Sequence, residues 1–176
     1  MPLKTKTYDL TEEIQRLEEQ IDEVDAILKE IDDNGNPQSQ AFQGERSGLE
    51  AALEGVRWAR DDAFDADYAP MWDESVGEIT LAGLTAGESA AIEDDLNGGG
   101  AGAARIYQVA KGTVDAPYVD DDMSEDERIG AVSQLPDSYV RWAQARTDEL
   151  SSVSGNGKKS YRELYEESQQ DNSNQT

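Results

Sequence analysis

The chain has 176 residues, of which 39 are acidic and 15 basic, so that its formal net charge is -24. Only 36% of the residues are hydrophobic, which predicts about one domain with a modest core and room for an appendage. Nucleic acid and membranes are disfavoured as partners, because binding them would add like-charge repulsion. The excess of acid over lysine indicates a halophilic source, since a Debye length of about 3 Å at 1 M salt screens self-repulsion.

Two residue types that carry much of protein chemistry are missing, because the sequence contains neither Cys nor His. The sequence therefore excludes disulfides, thiolate nucleophiles and the many hydrolase mechanisms that use histidine. We expect a protein that is not an enzyme and has no catalytic residue, metal or cofactor. No apolar run approaches the roughly 18 residues of a membrane span. The first residues also lack a signal peptide, which predicts a cytoplasmic protein, in the host cytoplasm if the source is a virus.

The strongest periodic signal lies near the N-terminus, where apolar residues alternate at spacings of four and three. That spacing is typical of one seam of a left-handed coiled coil. The seam consists of Leu10, Ile14, Leu17, Ile21, Val24, Leu28 and Ile31. Asp9 with Glu12 is a plausible N-terminal cap, and the polar loop at 32–38 ends the helix.

A second helix follows, with a shorter seam through Leu49, Leu53 and Val56. Ser47 and Glu50 have the spacing of a capping box at its start. Two helices joined by a polar turn predict an antiparallel coiled-coil hairpin over 1–70, formed within one chain or paired with another copy.

Residues 61–77 are aromatic and acidic and form the joint to the rest of the chain. Phe64, Tyr68 and Trp72 recur every four residues. We interpret them as a hydrophobic seal between two substructures in preference to a binding site.

The second half alternates helix signals with turns. "EITLAGL" at 78–84 predicts a short strand, and Thr85 with Glu88 predicts a capped helix ending at Leu96. Further helices are predicted from Ala103 to Lys111 or Val114, after a capping box at Ser124 and Glu127, and from Pro136 and Asp137 onward. Ile106, Val109, Ala110 and Val114 form the apolar side of the first of these helices, and Val140, Ala143, Thr147 and Leu150 that of the last.

The predicted fold is mainly α. It consists of the hairpin over 1–70, a small helical module with one or two short strands over 71–155, and a disordered polar tail over 156–176 that contains at most one short helix.

Several segments have a superficial likeness to ligand sites. The acidic residues at 120–127 and the "DDNGNP" loop at 32–37 fit no calcium loop, since the glycine and the last glutamate are misplaced or missing. "GGGAGAA" at 98–104 lacks the lysine and hydroxyl of a phosphate loop. "GLTAGES" at 83–89 offers Ser89, but no histidine can activate it. We interpret these segments as solvated turns, linkers and a helix cap.

Three segments occur in an order that matches a known pattern. They are "LTAGE" (84–88) entering a helix, "ARIYQVAKGTVDAP" (104–117) and "LPDSYVRWAQARTDELSSVSG" (135–155). In this order and spacing, residues 76–154 resemble the tail assembly chaperones of long-tailed viruses of bacteria and archaea. The N-terminal hairpin is not part of that pattern.

The resemblance implies a non-enzymatic protein, often a multimer, that coats the tape-measure protein while tail-tube subunits polymerise around it. Such a protein is absent from the finished virion. The implied partners are the tape-measure protein, the tail-tube protein and further copies of the same chain. Apolar seams and solubilising charge suit a long helical partner better than a pocket does.

The predicted partner contacts lie on the first helix and on an aromatic face in the second half. They are Ile14, Leu17, Ile21, Val24, Leu28, Tyr107, Tyr139 and Trp142. The alternative for both sets is packing within the monomer. The alternative function is a structural coiled-coil oligomer of a virion or halophilic cell, and a small acidic enzyme or metal protein is the third.

Overall fold

A computed structural model of the chain describes residues 4–31, 36–65, 67, 71–96, 98–152 and 159–173. Within these residues the protein is mainly helical, as predicted, with a small three-stranded antiparallel sheet. The helices are α1 (Leu10–Glu30), α2 (Pro37–Arg57), α3 (Ala86–Leu96), α4 (Ala101–Gly112), α5 (Glu125–Ser133), α6 (Asp137–Ser151) and α7 (Tyr161–Ser173). The strands are β1 (Thr5–Asp9), β2 (Glu78–Ala82) and β3 (Thr113–Asp115), and a π-helical turn (Trp58–Asp62) extends α2.

The chain forms two compact units that are not consecutive in sequence. The sheet unit contains Met1–Ile14 and Ala51–Val153, and the helical unit contains Gln15–Glu50 and Ser154–Thr176. Helices α1 and α2 therefore contribute residues to both units. The predicted domains, in contrast, are consecutive segments of the sequence. No helix in the described residues has the length and apolar character needed to cross a membrane.

The sheet has the strand order β1-β2-β3, and both strand pairs are antiparallel. The predicted strand is confirmed as β2, whose Ile79 and Leu81 are fully buried. Strand β1 was not predicted, because its sequence is polar apart from Tyr8. It forms by pairing with β2, in a register that places Thr7 opposite Thr80 with their hydroxyl oxygens 2.8 Å apart.

Helix α6 packs against several elements of the sheet unit, and three glycines allow close approach to it. Gly55 of α2 faces Ser138, and a Cβ on this glycine would lie 2.4 Å from the Ser138 carbonyl carbon. Gly83, which follows β2, approaches the Leu150 backbone equally closely, and a Cβ on Gly112, at the end of α4, would lie 2.7 Å from the Thr147 side chain. A larger residue at these positions would force the elements apart, so the glycines set the packing distance.

Two predicted capping boxes are confirmed. The Thr85 backbone N–H donates to Glu88 Oε2 over 2.7 Å, and the Glu88 N–H donates to Thr85 Oγ1 over 3.3 Å. Ser124 and Glu127 make the same reciprocal pair at 2.8 and 3.3 Å. The glycines and hydroxyls at 83–89 therefore belong to a strand end and a helix start.

The predicted capping box at Ser47 and Glu50 is wrong, because both residues lie inside α2. Helix α2 begins at Pro37, ten residues before Ser47. Proline is tolerated there because the first N–H groups of a helix make no hydrogen bond within it. Asn36 Oδ1 accepts from the Gln38 N–H over 2.9 Å and so supplies a side-chain contact at the helix start. At the start of α1, Asp9 Oδ1 accepts from the Glu12 N–H, as predicted.

Residues 161–173 of the predicted polar tail form α7, which is the one helix that the prediction allowed there. The helix starts at a further cap, where the Ser160 N–H donates to Glu163 Oε2 over 2.8 Å. Local sequence favoured disorder, since α7 has few apolar residues, but contacts within the helical unit stabilise it. The apolar prediction for Val114 is wrong, because it is 48% exposed in β3.

The buried face of α1 differs from the predicted seam in its second half. Ile27 is fully buried, whereas Leu28 is only half-buried. The buried residues after Val24 are therefore Ile27 and Ile31, at spacings of three and then four, where the prediction had four and then three. A straight helix of 3.6 residues per turn drifts relative to a strict heptad, which explains the shift. Tyr68 and residues 32–35 lie outside the described residues.

Candidate functional site

Aromatic residues from both halves of the chain form a cluster in the core of the sheet unit. The ring of Tyr139 lies 5.5 to 5.9 Å, centroid to centroid, from the rings of Trp58, Trp72, Tyr118 and Trp142. Tyr139 and Trp142 are completely buried. Two of the predicted partner contacts are therefore core residues of the folded chain. Trp72 is also buried, in keeping with an internal packing role.

A hydrogen-bonded chain of hydroxyls runs through this cluster. Thr113 Oγ1 donates to the Val109 carbonyl over 2.7 Å and lies 3.0 Å from the Tyr118 hydroxyl, which is 3.1 Å from that of Tyr139. Burial raises the pKa of Tyr118 and that of Tyr139, because a phenolate would lose its hydration there. These hydroxyls satisfy one another and have a structural role.

A buried ion pair joins α1 to α6 within the sheet unit. Glu13 Oε2 accepts from Arg146 Nε and from Trp142 Nε1, each over 3.0 Å, and Arg146 Nη1 donates to Glu149 over 2.7 Å. Glu13 and Arg146 are each 5% exposed. Sequence gave no signal for this pair, because Glu13 lies among many exposed acids and its burial depends on helix packing. Tyr8 packs edge-on against Trp142, and burial raises its pKa to about 12.

The predicted contacts on α1 are divided between buried and accessible positions. Ile14, Leu17 and Val24 are buried within the chain, whereas Ile21 and Leu28 are half-buried. Tyr107, on α4, is also half-buried. Tyr107, Tyr139 and Trp142 belong to the sheet unit, whereas most of the α1 seam belongs to the helical unit.

An acidic cleft borders the sheet near the start of α1. It is lined by the carboxylates of Asp9, Asp73, Glu74, Glu78, Asp115 and Asp120, together with apolar loop residues. In the described part of the chain, no group of three or more His, Cys, Asp or Glu side chains is arranged to hold a metal ion. The cleft contributes negative surface charge.

The helical unit contains an extended contact surface made by α1 and α2. Arg46 of α2 donates to Asp25 of α1 over 2.5 Å, which ties the two helices together. The hydrogen-bonding side chain of Arg46 also reaches Glu50 one turn further along α2. The guanidinium pKa of Arg46 is raised, chiefly by the hydrogen bond to Asp25.

Helix α7 covers this surface and runs antiparallel to α2. Tyr161 of α7 donates to Glu45 over 3.4 Å, the Tyr165 and Phe42 rings lie 6.0 Å apart, and Gln38 donates to Ser168 over 2.5 Å. As the α7 number rises, the α2 number falls, which fixes the antiparallel direction.

Arg162 connects α7 to α1 on the other side of the same surface. Its guanidinium makes a two-pronged pair with Glu30 at 2.7 and 2.9 Å, and its backbone N–H donates to Glu23 over 2.9 Å. The hydrogen bond from Arg162 holds the pKa of Glu30 below its usual value. The α1/α2 surface thus contacts α7 through two tyrosines, a serine and an arginine.

Comparisons with protein-family models, with curated proteins and with solved structures found no match to this chain.

Proposed function

We propose that the protein is a non-enzymatic tail assembly chaperone of a long-tailed virus with a halophilic host. In this proposal it binds and solubilises the tape-measure protein while the tail tube forms. It acts in the host cytoplasm, as a homo-oligomer, and contacts the tail-tube protein as assembly proceeds.

The observation that carries the proposal is the common packing of the three segments that resemble the family. They are separated along the sequence, yet α3 packs on α4, and α4 packs on α6, in one unit. Strand β2, which enters the first segment, also contacts α6. Because the three segments match the family pattern in order and also pack into one body, they are better explained as one folded module than as separate chance matches.

The charge and the surfaces support the same proposal. A net charge of -24 keeps a complex with an aggregation-prone partner soluble. The helical unit presents a surface suited to a helix, which agrees with a long helical client. We include in the proposal a coiled-coil arrangement of α1 and α2, formed by their apolar seams.

The alternative is a permanent coiled-coil component of a virion or of a halophilic cell. Half-buried Ile21 and Leu28 are the observation that favours it, because they could pack against a second copy. The two proposals differ in the fate of the protein after assembly.

Mass spectrometry of purified virus particles, compared with lysates of infected cells, tests the proposal. We expect the chain in the lysate and its absence from finished particles, with its gene between those of the tail tube and the tape measure. Stoichiometric amounts of the chain in mature particles would contradict the chaperone proposal and support the structural one.

A further inference from the structure

We propose that the α1/α2 surface of the helical unit is a docking groove for an amphipathic helix, and that α7 is an internal ligand occupying it. A partner helix with the same chemistry, an aromatic residue and an arginine on one face, would displace α7. The identification of the partner helix as part of a tape-measure protein rests on the proposed function. The chemistry of the groove can be tested without that protein, by means of a synthetic helix.

Among the described residues, hydrogen bonds, one ion pair and one ring contact connect α7 to α1 and α2. The ring contact joins Tyr165 and Phe42, and Leu164 is 47% exposed. The hydrogen bonds and the ion pair are at the surface, where each contributes little to stability in water. A helix of 13 residues with this composition is marginal by itself, so α7 depends on the groove.

The contacts of α7 follow the pattern of a bound helix. Tyr161, Tyr165 and Ser168 recur at spacings of four and three, which places them on one helix face toward α2. Arg162 adjoins that face and reaches Glu23 and Glu30 on α1. The groove therefore binds a helix that has an aromatic stripe and a neighbouring cation.

The groove and α7 are complementary in charge at one position. Glu23, Glu30 and Glu45 line the groove and all accept hydrogen bonds from α7. In a chain with 39 acidic residues, α7 supplies an arginine whose guanidinium pairs with Glu30. A partner helix with more basic residues than α7, which itself contains Glu163, Glu166 and Glu167, would bind the same groove more tightly.

The covalent link explains how a weak ligand stays bound. Because α7 and the groove belong to one chain, an effective concentration on the order of millimolar is expected, and a segment with a Kd of about 0.1 mM would then occupy the groove about 90% of the time. The same occupancy lowers the apparent affinity of an external helix about tenfold. Helix α7 thus protects the groove until a stronger helix arrives.

The test measures binding of a fluorescent peptide with the sequence of residues 159–173 to the full-length chain, by anisotropy. We expect R162E, which releases α7, to bind the peptide about tenfold more tightly than the unmodified chain. R141E is the matched control, because Arg141 pairs with Asp137 outside the helical unit and the change in charge is identical. It should bind the peptide as weakly as the unmodified chain.

A second pair of measurements covers failure of R162E to fold. Y165A should also raise peptide affinity while tryptophan fluorescence, which reports the sheet unit, stays unchanged. In a Q38C/S168C variant, a short thiol crosslinker should fasten α7 to α2 and abolish peptide binding, since the chain has no other Cys.

Equal affinity of the unmodified chain, R162E and Y165A for the peptide would overturn the proposal, and so would an absence of binding in all three. Equal binding of a peptide with glutamate in place of the arginine would overturn the assigned chemistry. None of these outcomes depends on the tape-measure protein, so they are distinct from a failure of the proposed function.

Discussion

The close packing of α2 on α6 leads to a sharp prediction about Gly55. A Cβ at this position would lie 2.4 Å from the Ser138 carbonyl carbon and 2.5 Å from its oxygen. Ordinary van der Waals contact begins near 3.4 Å, so Gly55→Ala requires α2 and α6 to separate by about 1 Å. Because the obstacle is backbone, no side-chain rotation can relieve the contact.

The magnitude follows from two opposing terms. Alanine in place of glycine inside a helix stabilises by roughly 1 kcal/mol, whereas overpacking a tight contact costs about 1–3 kcal/mol and occasionally more. A backbone clash belongs at the upper end, so we expect a net loss of about 2 kcal/mol. With a urea m-value of about 2 kcal/mol/M, the unfolding midpoint falls by about 1 M.

The matched control is Gly130→Ala, in the interior of α5 in the same unit. A Cβ at Gly130 would meet nothing within 4 Å. This substitution should therefore raise stability by about 0.5–1 kcal/mol through helix propensity alone. The assay is urea unfolding followed by tryptophan fluorescence, because all three tryptophans lie in the sheet unit. Equal unfolding midpoints for the two variants would refute the close packing of α2 on α6.

Three further predictions concern charge and ionisation. Glu13→Ala should cost about 3 kcal/mol in the free energy of urea unfolding, because it removes one partner of a buried ion pair with Arg146; a loss below about 0.5 kcal/mol would show that the pair is not buried. Burial raises the pKa of Tyr8 to about 12 and also raises those of Tyr118 and Tyr139. Unfolded tyrosines ionise near pH 10, so the contribution of these buried tyrosines to the free energy of unfolding should be fully present below pH 10 and be lost as the pH rises from 10 to 12. Absorbance at 295 nm should show their late ionisation. Full ionisation by pH 10.5 in the folded state would contradict this. The thermal midpoint should rise with KCl from 0.1 to 2 M as the net charge of -24 is screened, and a midpoint independent of salt would remove the halophilic interpretation.

Sequence predicted the elements whose signals are local. The capping boxes at Thr85 and Ser124 and the alternation in β2 depend on neighbouring residues, and they were found. Helix α1 was also found, because its apolar period is long and regular.

The elements that sequence missed or left open depend on contacts distant in the chain. Strand β1 exists because β2 supplies a partner edge that is distant in sequence, with Thr7 paired to Thr80. Burial of Glu13 depends on Arg146, and α7 depends on side chains of α1 and α2. Tyr139 and Trp142 could be recognised as apolar, but whether they contact a partner or the core is decided by packing.

The central claim is that the protein binds and solubilises a long helical tape-measure protein. The most direct measurement is the soluble fraction of the neighbouring tape-measure protein when it is expressed with this chain, compared with expression alone and with an unrelated protein of similar negative charge. We predict a large soluble fraction, recovered as a complex, only when this chain is present. A soluble fraction that is no larger than with the unrelated acidic protein would contradict the account.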